Sequence, residues 1–101
     1  VQADSTTVAA MAPFAAPLAR LGADRVTAGG SGVDIAPLVE LGVLGIGHRV
    51  HNDVYFSYHH SPADVFETVD PAHLAANVAV VTALAYAVAD SPSEIPRPKA
   101  D

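Results

Sequence analysis

The sequence predicts an α/β chain with few strands, ending in a long Ala-rich helix. Three observations carry that expectation. Asp70-Pro71 opens an Ala- and Val-rich run that continues to about Ala89. Val43-Leu-Gly-Ile-Gly47 is a short apolar run of strand length, bounded by glycine. Thr6 to Leu21 is Ala-rich with a helical pattern. Two or three helices and one or two short strands follow from this pattern.

Taken in order, the first helix is expected to be short or broken. Pro13 and Pro17 each remove an amide donor and crowd the preceding turn, and Gly22 is a natural stop. Thr27-Ala-Gly-Gly-Ser-Gly32 reads as a flexible loop. Asp34 is placed to cap a short helix through Leu41 that ends at Gly42. The central strand is expected around Val43 to Ile46, although glycine weakens a strand. At Asp70 the carboxylate accepts the first free amides, and Pro71 sacrifices none. The tail from Ser91 to Asp101 has three prolines and mixed charge, which predicts disorder.

Composition removes several function classes. The chain has 101 residues, enough for one small domain with a modest core. Half of the residues are hydrophobic, which argues against wholesale disorder. A formal charge of −6, with five Lys and Arg, disfavours nucleic acid and anionic membranes, because both need clustered positive charge. Without cysteine there are no disulfides, thiolate metal sites or thiol nucleophiles. The last helix has a membrane span as its rival. At about 16 to 18 Ala-heavy residues without basic flanks, it falls short of the roughly 20 strongly apolar residues of a span. The expectation is a helix packed against protein.

Polar and aromatic residues gather between positions 48 and 70. His48, His51, His59 and His60 lie here, with Asp53, Tyr55, Phe56, Tyr58, Asp64, Phe66 and Glu67. Imidazole nitrogen is a common zinc donor, so His48, His51, Asp53 and His60 form one candidate site. Clustered surface-loop histidines are the plainer reading, since spacing alone does not show tetrahedral geometry. The aromatics supply either core or the wall of a specificity pocket.

Tyr55-Phe-Ser-Tyr-His-His-Ser-Pro-Ala-Asp64, then Glu67-Thr-Val-Asp-Pro71 and an Ala/Val helix ending Ala87-Val-Ala-Asp90, resembles the C-terminal end of the di-zinc exopeptidases. That family comprises aminopeptidases and glutamate-carboxypeptidase-like enzymes, with the carboxypeptidase Q type most similar. Gly22 to Leu38 and Glu40 to Gly45 also resemble it, so the likeness runs from about Leu18 to Asp90. The resemblance implies one edge of an α/β/α sandwich with a mixed sheet. Residues 1–90 would then be the C-terminal part of a zinc-peptidase catalytic domain, with 91–101 as the disordered tail.

What the resemblance implies for individual residues is limited. The histidine preceding Ser or Thr in this motif ligates one of two zincs, and that position is His60. Asp64 falls where a carboxylate orients the ligand loop, or else caps it. Asp34 matches a loop acid near the family's active site, with helix capping as its alternative. His59 and Tyr58 stand beside the ligand as candidates to face substrate, or as ordinary loop residues. His48 and His51 match no ligand and are read as surface residues. The family's remaining ligands and its general-base Glu are expected before residue 1, so no catalytic residue is assigned in this chain.

Two functions from different classes follow. One is part of a zinc-dependent aminopeptidase or carboxypeptidase acting on peptides, inactive alone and completed by a missing N-terminal part. Secretion or a periplasmic location goes with it by resemblance. The other is a non-enzymatic remnant or α/β module that self-associates through the last helix, which has little polar face. A small histidine-based metal binder is a weaker third reading.

Overall fold

The computed structural model of the chain describes residues 2–3, 5, 7–51 and 53–97. Four helices account for most of the order: α1 (Val8–Ala15), α2 (Ala36–Glu40), α3 (Tyr55–Tyr58) and α4 (Pro71–Ala89). Two strands, β1 (Gln2–Ala3) and β2 (Thr27–Ala28), pair in parallel with Gln2 opposite Thr27.

The N-terminal helix is broken as its prolines require. Pro13 sits inside α1, and beyond Ala15 the chain tightens into a 3₁₀ segment, Ala16–Leu21, with Pro17 near its start. Gly22 closes that segment at φ 66°, a left-handed angle that costs glycine little. Residue 6, where the sequence places the helix start, lies outside the described residues.

Three local expectations are corrected. Thr27 and Ala28 form β2 rather than loop. Asp34 does not cap α2: it lies within a 3₁₀ turn, Val33–Ile35, and the cap position belongs to Ile35, whose side chain makes no capping bond. The run 43–47 forms no strand beyond one isolated bridge at Gly47. Its glycines instead serve close approach. A Cβ at Gly47 would lie 2.7 Å from the Gly30 carbonyl oxygen. A Cβ at Gly45 would lie 2.7 Å from Val39 Cγ2. Backbone laid this tightly along the 29–32 loop leaves no room for side chains at those positions.

The helix α4 runs for 19 residues from Pro71, with Asp70 as its cap. The Asp70 carboxylate accepts from Ala72 N at 2.8 Å and His73 N at 2.9 Å. By length and composition, α4 is long and apolar enough to cross a membrane. Val80 and Leu84 on one side of it pack on α1. Met11, Ala15, Leu18, Val80 and Leu84 form the buried core, flanked by Phe14, Ala23, Val26, Ile46, Val88 and Ile95. Ile95 belongs to the segment 91–97, which the sequence reads as tail; residues 98–101 lie outside the described residues.

The result is an open slab of 42 × 32 × 19 Å. Its radius of gyration is 15.0 Å, against about 13 Å for a compact domain of 100 residues. The accessible surface is 7594 Å², whereas a folded monomer of this mass exposes about 5,400 Å². A core of five buried hydrophobic side chains supports this surface.

Candidate metal-ligand loop

Between α3 and α4 the chain makes a run of short-range turns that present His60. The His59 amide donates to Tyr55 O at 2.9 Å and closes α3. His60 then turns left-handed at φ 55°, the one non-glycine residue with positive φ among the described residues. Such an angle costs a side-chain-bearing residue roughly 1 kcal/mol and is held only where neighbouring bonds require it. Those bonds come from Ser61. Its amide and hydroxyl both donate to Tyr58 O, at 3.0 and 2.7 Å. Its hydroxyl also accepts from Ala63 N at 3.2 Å, and its carbonyl from Asp64 N at 3.0 Å.

The predicted site residues are only partly brought together. His59 and His60 rings lie 3.8 Å apart, tilted by 44°. His59 is committed on its other side: it stacks on Tyr55 at 4.3 Å, and its Nε2 bonds the Tyr55 hydroxyl at 3.1 Å. His60 and Tyr58 are exposed. Asp64 follows four residues later, with no hydrogen bond or ion pair joining its carboxylate to His60 among the described residues. Asp34 is exposed on its own 3₁₀ turn. The aromatics do not supply core, since Phe56 is 81% and Phe66 84% exposed. Of these, Phe56 lies edge-on to His59, with ring centroids 6.5 Å apart.

No group of three His, Asp or Glu residues is arranged to hold a metal ion among the described residues. The four-residue site of His48, His51, Asp53 and His60 is therefore not formed. His48 departs from its surface reading as well. It is half-buried on a separate cleft of about 790 Å³, lined by His51, Asp53, His73 and Asn77 among others and excluding His60. The His48 Nε2 pairs with Asn77 Oδ1 at 2.6 Å, while Asn77 Nδ2 donates to His73 O at 2.8 Å. With the amide nitrogen committed, Nε2–H is the donor to Oδ1. The other imidazole nitrogen, Nδ1, is buried without a partner. Sequence reasoning missed His73 and Asn77. Their spacing of four residues on one helix was the available signal, but His48 lies 29 positions away from Asn77.

The His73 amide holds the Asp70 carboxyl below its usual range, with the Ala72 amide helping and desolvation opposing.

Comparison with known proteins finds a relationship to carboxypeptidase Q. Over 77 residues, 76% of the chain, it is 35% identical to carboxypeptidase Q of Mus musculus. Over 66 residues, 65% of the chain, it is 36% identical to carboxypeptidase Q of Rattus norvegicus. The chain spans 16% of the mouse protein and 14% of the rat protein. No family model matches the sequence. No solved structure matches it either. Most of this short chain is thus related in sequence to a small part of carboxypeptidase Q.

Proposed function

We propose that the chain is the C-terminal part of a zinc-dependent exopeptidase, with His60 as its last zinc ligand, and that it is inactive alone. The observation that carries this reading is the 35% identity to carboxypeptidase Q over 76% of the chain. His60 on an exposed, bond-pinned left-handed turn is consistent with a donor aimed away from its own fold. A zinc pair does not fit this chain by itself. One imidazole supplies one donor, and the described residues offer no third partner. No catalytic step is therefore assigned to the chain. The other donors and the proton-accepting Glu belong to sequence it does not contain. Asp64, His59, Tyr58 and Asp34 stand in this reading as residues that orient the loop or meet peptide substrate. A secreted or periplasmic setting goes with it.

A chimera tests this directly. The matching stretch of mouse carboxypeptidase Q is replaced by this chain, with and without His60→Ala. The chimera is expected to bind zinc and hydrolyse peptide termini, and the variant to lose both zinc content and hydrolysis. Equal zinc content and rate in the two proteins would contradict the assignment of His60.

A second reading is favoured by the open slab: the chain acts as it stands, as a non-enzymatic module that self-associates. Its support is the roughly 2,200 Å² of surface beyond that of a compact monomer of this mass.

A further inference from the structure

We propose that Tyr55 is a positioning residue that sorts two adjacent histidines, withdrawing His59 so that His60 is the one offered to a metal. The inference rests on the reading of His60 as a zinc ligand. His59 and His60 are neighbours on one short loop, and either imidazole could donate a nitrogen to zinc. Their rings lie 3.8 Å apart, so proximity does not choose between them.

Their surroundings do. Tyr55 opens α3 and His59 follows its last residue, a spacing of four that stacks side chains on one helical face. The Tyr55 hydroxyl bonds His59 Nε2 at 3.1 Å, and the two rings stack 4.3 Å apart at 25°. Whichever partner carries the proton, that bond commits Nε2. The nitrogen left over, Nδ1, is the one crowded by the residue's own main chain. Phe56 meets the same imidazole edge-on at 84°. His59 is accordingly half-buried, whereas His60 is exposed. The His60 imidazole makes no hydrogen bond among the described residues. On its other side, the Ser61 hydroxyl is tied to Tyr58 O and Ala63 N, which keeps His60 at φ 55°. The loop thus fixes the residue on each side of His60 and leaves its ring for a metal.

A metal complex with one exchangeable position, aquapentaammineruthenium(II), tests this on the chain as it stands, because it bonds a single imidazole. Labelling is followed residue by residue through peptide mass spectrometry. His60 is expected to label several-fold faster than His59. Tyr55→Phe keeps the ring stack but removes the hydroxyl, and should speed His59 labelling by roughly threefold to tenfold, the worth of one net hydrogen bond. His60 should label at its former rate. His51, exposed outside this turn, should also label alike in both proteins, which separates release of His59 from general loosening. Equal labelling of the two histidines in the unaltered chain would overturn the sorting without need of any variant. A His59 rate that ignores Tyr55→Phe would overturn the role of Tyr55. Either failure would leave the zinc-ligand reading standing, because the His60→Ala chimera judges that separately.

Discussion

Asp70 shows how one residue sets an element. Its carboxylate accepts two amides at the start of α4, and the His73 amide depresses its pKa. The depressed value means the charged form is favoured by folding. Its stabilising effect is present above the ordinary carboxylate range and is lost as pH falls through the folded value. Asp70→Asn keeps an acceptor at a position where Asn caps as well as Asp. Thermal melts of the variant are expected to match the parent near pH 7 and to lose less stability toward pH 3. An unchanged acid profile would remove Asp70 as the cause. Asp70-Pro71 was legible in the sequence because capping involves residues two and three positions apart. The His48–Asn77 bond was not, since partners 29 positions apart meet only through packing. His60 was legible as a candidate through its motif, but its left-handed backbone follows from Ser61 and Tyr58 bonding that spacing does not reveal.

At the scale of elements, the 43–47 run shows why apolar character alone misleads. Val43, Leu44 and Ile46 suggest a strand, but a strand needs a paired neighbour. Gly45 and Gly47 here permit contact with the 29–32 loop instead. Gly47→Ala forces a methyl against the Gly30 carbonyl and is expected to cost about 1–3 kcal/mol. Denaturant unfolding checks it; a loss below the error of the fit would show that the loop gives way. The broken N-terminal helix was legible because Pro13 and Pro17 act locally. The two-residue sheet was not, as Thr27-Ala28 carries no strand signal of its own and pairs across 25 positions with β1. The last helix shows both sides. Its start was readable, whereas its packing on α1 depends on which stripe finds Met11 and Ala15.

For the whole molecule, the slab form and the surplus surface leave room for neighbours. The two readings of function are two ways to supply them: the rest of a larger exopeptidase, or a second copy. The α/β/α sandwich implied by the resemblance remains a proposal about that larger body. The central claim is that His60 is a metal ligand whose partners lie elsewhere. A zinc titration of the purified chain by calorimetry, beside His60→Ala, tests it most directly. The account predicts no tight zinc site on the chain by itself and no difference between the two proteins. Stoichiometric tight binding that His60→Ala abolishes would contradict it, because the chain would then complete its own site.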